Sequence, residues 1–150
     1  MSYRRLFYHI VFRPKNSARV INADKETLLY KYIWGFAQDK GAVLYRIGGM
    51  PDHIHMLVDI PPSISIAGFM RDLKTSSAVF MRNHHDDFPL FEGWAKSYCV
   101  LSYSFSEKEN VINYIKGQKE HHKTVSFRDE YLKLLQEWGI DVDMKFFLKD

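Results

Sequence analysis

The stretch Val43-Leu44-Tyr45-Arg46-Ile47-Gly48-Gly49-Met50-Pro51-Asp52-His53-Ile54-His55-Met56-Leu57-Val58-Asp59-Ile60 carries two β-prone runs. These are Val43 to Gly48 and Ile54 to Ile60, set either side of the turn-forming Gly49-Met50-Pro51-Asp52. Such a pattern predicts an antiparallel hairpin, ended by Pro61-Pro62 because proline has no N–H to give to a ladder. Upstream, Leu6, Tyr8, Ile10 and Phe12 alternate with Phe7, His9, Val11 and Arg13 until Pro14, which reads as a strand. Between that strand and the hairpin, Asp24 is placed to cap a helix running to about Lys40, with Leu28, Leu29, Tyr32, Ile33 and Phe36 on one face and Gly41 ending it. Downstream, Ser63 or Ser65 caps a helix to about His84, with Ile66, Phe69, Met70, Leu73, Ser77 and Phe80 stacked at helical spacing. Tyr98 to Phe105 reads as a fourth strand. Ser106 with Glu109 forms a capping box that opens a helix to about His122, and Ser126 to Trp138 reads as one more helix before Gly139. The order β-α-β-β-α-β predicts an α+β, ferredoxin-like antiparallel sheet with two helices on one face. A third helix bearing Tyr114 and a further C-terminal helix extend it.

Bulk properties set wide limits. The 150 residues hold 21 Lys and Arg against 18 Asp and Glu, a formal charge of +3, which allows a polyanionic partner without requiring one. No linker or repeat divides the chain, so a single domain over 1–150 is expected. The lone Cys99 excludes an internal disulfide framework and any zinc site needing two thiolates, which favours a reducing cytoplasm and a buried, inert thiol. No apolar run approaches a membrane span, and Arg4, Arg5 and His9 interrupt the N-terminal strand too often for a signal peptide. A soluble cytoplasmic protein without a membrane partner is therefore expected.

A fold of this kind does not decide function, so the chemistry must come from a site. His53 and His55 lie two apart on a strand, so both imidazoles leave the same face about 6.5–7 Å apart, a spacing that can grip one metal ion. The alternative is one core histidine and one surface histidine. Tyr114 and Gln118 are i and i+4 and share a helix face opposite Val111, Ile112 and Ile115. Taken alone, Tyr114 also fits a flank position with its hydroxyl in water. Gly117 costs such a helix about 1 kcal/mol relative to Ala, which a helix that must move or admit substrate can tolerate. The adjacent His121 and His122, one to two turns beyond Gln118, are within reach of the metal side, and the alternative, which the reading favours, is a solvent-exposed pair.

Together these motifs resemble the single-tyrosine HUH transposases, enzymes of insertion sequences that move as single-stranded DNA. The resemblance runs through Tyr8-His9-Ile10-Val11-Phe12-Arg13-Pro14-Lys15, Gly49 to Val58, and Asn113-Tyr114-Ile115-Lys116-Gly117-Gln118. It covers about Tyr8 to Lys123, with a core of about 3–123 and an extension of about 124–150 whose role it leaves open. It implies that His53, His55 and Gln118 hold Mg²⁺ or Mn²⁺, that His9 supports them, and that Tyr114 is the nucleophile. Cleavage would pass through a 5′-phosphotyrosine link that stores the bond energy, so rejoining needs no nucleotide cofactor. The resemblance also implies DNA hairpins at element ends as partners, and a homodimer whose tyrosine helix is donated across the interface. Arg4, Arg5, Arg13, Lys15, Arg19 and Lys74, with Arg82 and Lys96, are candidate phosphate contacts, each of them also compatible with a solvated surface. Two readings compete: a non-mobile, domesticated HUH endonuclease acting on palindromic repeat hairpins, or a non-catalytic hairpin-binding module. Relaxases usually carry further domains or a second tyrosine, and a histidine-triad hydrolase would want a histidine where Leu57 stands.

Overall fold

The computed structural model describes residues 3–150; Met1 and Ser2, part of the expected 1–150 domain, lie outside the described residues. Strands β1 (Phe7–Phe12), β2 (Val43–Met50), β3 (His53–Asp59) and β4 (Cys99–Tyr103) form one antiparallel sheet in the order β2-β3-β1-β4. Helices α1 (Glu26–Asp39) and α2 (Ile66–Asn83) connect them in the expected ferredoxin-like order, and α3 (Lys108–Lys116), α4 (Gln118–His121) and α5 (Phe127–Glu137) follow β4.

The period-two alternation of the strands sorts residues onto two faces. Ile10 and Phe12 of β1 and Ile54, Met56 and Val58 of β3 join Leu29 and Ile33 of α1 and Phe69, Met70 and Leu73 of α2 in the main core. Their neighbours in sequence point the other way. Phe7 and Leu57 pack with Val111 and Ile115 of α3, while Val11, Cys99 and Leu101 pack with Phe127, Leu134 and Leu135 of α5. With helices on both sides, all seven residues of β3 are buried, including its two histidines.

Several local expectations are corrected. The hairpin ladder reaches Met50 opposite His53, so the turn is Pro51-Asp52 alone and His53 is a strand residue. Asp24 does not cap α1. The Asn22 carbonyl instead accepts from the amides of Lys25 and Glu26 and starts the turn. Ser65, not Ser63, caps α2, its hydroxyl accepting from the Gly68 amide at 3.0 Å. Ser106 makes no capping box: Phe105–Glu107 form a 3-10 turn, and the Ser106 hydroxyl bonds that of Ser104 at 2.8 Å. The expected helix to His122 is broken at Gly117, which separates α3 from α4. Ser126 does cap α5, accepting from the Asp129 amide at 3.2 Å.

Two glycines of β2 permit close approach. A Cβ on Gly48 would lie 3.0 Å from the Ile115 carbonyl oxygen, so this residue lets α3 settle on the sheet. A Cβ on Gly49 would fall 2.2 Å from the His53 carbonyl oxygen, a distance that excludes any side chain. Among the described residues, no helix is long and apolar enough to cross a membrane.

Candidate metal centre and nucleophile

The site lies on the sheet face covered by α3 to α5. His53 and His55 present their Nε2 atoms from β3, and each is oriented through its other ring nitrogen. Nδ1 of His53 lies 2.7 Å from the Asp52 carboxylate, and Nδ1 of His55 lies 2.8 Å from Nε2 of His9. Such outer partners fix ring orientation and leave Nε2 directed inward. The ring of Phe127 stacks on His53 at 4.1 Å between centroids, which closes the site on that side.

Glu130 of α5 lies at the centre. Its Oε1 is 3.2 Å from Nε2 of His55, 3.5 Å from Nε2 of His53 and 3.1 Å from Nε2 of His122. Its Oε2 accepts from the Gln118 amide at 2.7 Å and from the Tyr114 hydroxyl. Burial on its own would raise the Glu130 pKa. Hydrogen bonds from His55, Tyr114 and Gln118 outweigh it and hold the carboxyl well below the usual range. Tyr114 moves the other way: burial, and then the charge of Glu130, push its phenol well above the ordinary value. His9 is held neutral, lowered to about 3 chiefly by burial and then by His55; burial also lowers His55 itself.

Thus the expected residues His53, His55, Tyr114 and Gln118 come together, within a single chain. The Tyr114 ring stands edge-on to His55 and His9, at 5.6 and 5.9 Å. His9, whose supporting role the resemblance implies, bonds Nδ1 of His55 through its Nε2. His122 does not sit in solvent: its side chain is 5 % exposed, Nδ1 donates to the Val125 carbonyl at 2.6 Å, and Nε2 faces Gln118 Oε1 at 2.9 Å. His121 is the more open of the two, at 37 %. Sequence reading missed Glu130, although a signal existed: it lies between Phe127 and Leu134 at helical spacing, a charge on an otherwise apolar stripe.

The donor set suits a divalent ion. Nδ1 of His53 is spent on Asp52 and Nδ1 of His122 on a carbonyl, so in the neutral rings both Nε2 atoms carry lone pairs. Those lone pairs point at the oxygens of Gln118 and Glu130. Acceptors that converge on acceptors are satisfied by a proton on an imidazole or by a metal ion among them, and His53, His55 and Glu130 place their ligand atoms within 4.8 Å of one another, close enough to share one ion.

The basic candidates divide. Arg13 is buried, paired with Asp150 at 2.6 Å and bonded to Ser17. Lys74 donates to the carbonyls of Ala95 and Lys96, and Arg4 pairs with Asp59 at 2.8 Å. Arg5, Lys15, Arg19, Arg82 and Lys96 are exposed, Arg19 lying 3.7 Å from Asp52.

Against known proteins, the sequence profile described as "Transposase IS200 like" matches residues 2–118. The chain belongs to the IS200-like transposase family. Among its relatives, the transposase for insertion sequence element IS200 of Salmonella typhimurium is 29 % identical over 120 residues, 77 % of this chain and 78 % of that one. The ISDra2 transposase TnpA of Deinococcus radiodurans is 28 % identical over 77 % of this chain and 86 % of its own. A crystal structure assigned to a transposase of Deinococcus radiodurans superposes with a TM-score of 0.61 at 28 % identity, covering 79 % of this chain and 95 % of that one. A REP-associated tyrosine transposase bound to a REP hairpin shares the fold, with a TM-score of 0.61 at 15 % identity over 83 % of this chain and 76 % of its own. In this IS200-like transposase the family match ends at Gln118, so His122 and Glu130 lie beyond it.

Proposed function

We propose that this IS200-like transposase cleaves and rejoins single-stranded DNA at insertion-sequence ends, with Tyr114 as nucleophile. The observation that carries the reading is the meeting, in one buried cluster, of the Tyr114 hydroxyl with the imidazoles of His53 and His55 and the amide of Gln118. The Tyr114 oxygen attacks the scissile phosphorus, the bond to the 3′ oxygen breaks, and that oxygen takes up a proton to leave as a 3′-hydroxyl. A 5′-phosphotyrosine remains, and a second 3′-hydroxyl reverses the step on another strand without a nucleotide cofactor. His53, His55 and Gln118 would hold Mg²⁺ or Mn²⁺, which would supply charge neutralisation at the phosphate.

The chain's own residues prepare that chemistry. Asp52 and His9 hold the two imidazoles in register. Glu130 Oε2 holds the phenol proton, which keeps Tyr114 in place and protonated before substrate arrives. The exposed Arg5, Lys15 and Arg19 offer phosphate contacts, and hairpin DNA is the proposed partner. We extend the proposal to a homodimer in which two subunits supply the two strand-transfer sites.

The test is incubation of labelled single-stranded hairpin DNA from the element ends with Mg²⁺ or Mn²⁺ and either wild type or Tyr114→Phe. A denaturant-stable protein–DNA adduct is expected from wild type only; an equally strong adduct from the variant overturns the assignment.

A further inference from the structure

Glu130 joins two groups of ligand atoms, each within 4.8 Å, one with His53 and His55 and one with His121 and His122, and of the five donors considered for one ion only His53, His55 and Gln118 belong to the set implied by the HUH motif. The other two are Nε2 of His122 and Oε1 of Glu130, 3.1 Å apart. Neither is a surface group swung in by chance. His122 is anchored through Nδ1 to the Val125 carbonyl at 2.6 Å, the kind of outer partner a metal-bound imidazole keeps. Glu130 is 4 % exposed and is brought in by a helix whose apolar stripe, Phe127, Leu134 and Leu135, is seated on β1 and β4. The Glu130 carboxylate also divides its work: Oε1 faces three imidazoles, and Oε2 accepts from Tyr114 and Gln118.

We infer that His122 and Glu130 are metal ligands alongside His53, His55 and Gln118. Together they make a nitrogen-rich centre that takes a first-row transition-metal ion in preference to Mg²⁺. Three imidazoles with one carboxylate and one amide oxygen suit Mn²⁺, Co²⁺ or Zn²⁺, whereas Mg²⁺ keeps an oxygen shell and sheds water reluctantly. Because Oε1 ligates while Oε2 still accepts from Tyr114, one carboxylate ties the metal to the position of the nucleophile. This rests on the function proposed above for the identity of the site, but its test needs no DNA.

The experiment titrates the metal-stripped full chain with Co²⁺, Mn²⁺ and Mg²⁺ alone, reading heat and, for Co²⁺, visible absorption. Wild type is expected to bind Co²⁺ and Mn²⁺ at least about tenfold more tightly than Mg²⁺, with the intense Co²⁺ bands of a four- or five-coordinate protein site. His122→Ala and Glu130→Gln are each expected to weaken Mn²⁺ binding by about tenfold or more and to change the Co²⁺ spectrum, with melting temperatures in EDTA showing that the chain is folded. Should either variant fail to fold, X-ray absorption on Co²⁺-loaded wild type counts imidazole scatterers: three support the inference, and two overturn it. Equal affinities for Mg²⁺ and Mn²⁺, or folded variants that bind Mn²⁺ as wild type does, also overturn it. The two proposals fail separately. An adduct that forms while the variants bind Mn²⁺ normally removes the extra ligands and leaves the nucleophile, and five-donor binding with no adduct from any end hairpin does the reverse.

Discussion

The two faces of the sheet are built from the same strands and differ in nearly everything else. On one, Ile10, Phe12, Ile54, Met56 and Val58 meet α1 and α2 in a dry apolar core. On the other, one residue along, His9, His53 and His55 stand among Phe7, Val11 and Leu57, under helices that contribute Tyr114, Gln118, His122 and Glu130. Adjacent residues of β3 thus face the apolar core and the polar cluster in alternation. Buried polar groups are affordable on the second face because each has partners; among the described residues the only buried side-chain polar atom without one is Nδ1 of His9.

If the faces divide labour in this way, substitutions should separate activity from stability. The largest effect is expected at Tyr114→Phe, which should lower DNA cleavage by at least about 1000-fold while leaving the melting curve near that of wild type. Strand-cleavage assays beside thermal melts check it, and residual cleavage near wild type breaks the comparison on the chemical face. Next, Ile54→Ala removes a wholly buried side chain lying between the two histidines but pointing away from them. It should cost about 2–5 kcal/mol in denaturant unfolding and change Mn²⁺ affinity by no more than about threefold in the folded protein. A loss of metal binding like that of His53→Ala would show that the faces are not separable.

A smaller effect is set by pH. His9 has its folded pKa lowered from 6.5 to about 3, so below 6.5 the unfolded chain binds the proton that the folded one refuses. Its contribution to stability is complete above pH 6.5 and is lost as pH falls toward 3, at no more than about 1.4 kcal/mol per pH unit. His55, also lowered, adds to the same slope. In EDTA, wild type should therefore lose stability between pH 6.5 and 4.5 and His9→Leu should lose less; equal slopes would remove His9 from the account. The smallest effect concerns Cys99 on β4, whose thiol is pushed up to about 11 by burial. At pH 8 a thiol reagent should label it only on unfolding, with no change in metal affinity, and prompt labelling of the native protein would show that α5 opens readily.

How much of this was legible beforehand follows the same division. The apolar face is periodic, and the hairpin, both crossover helices and the ferredoxin-like order of elements could be read from spacing. His53, His55, Tyr114 and Gln118 were legible as a motif through their resemblance to the HUH transposases, and the fold brings the four together. His122 was legible only as a group within reach of the metal side and Glu130 not at all, because their placement depends on how α5 and the segment after Gly117 fold back onto β3, a tertiary arrangement that spacing along the chain does not encode. The break at Gly117 and the unused Asp24 and Ser106 caps failed for a related reason: backbone carbonyls and 3-10 turns satisfied the helix ends first.

Gly49 has no functional group, yet it sets a limit on how this family member can drift. Any side chain there would collide with the backbone at His53, so a single methyl would displace the first imidazole while every residue named in the site stayed in place. A Gly49→Ala substitution would therefore disturb the cluster while leaving every His, Tyr and Gln in it unchanged.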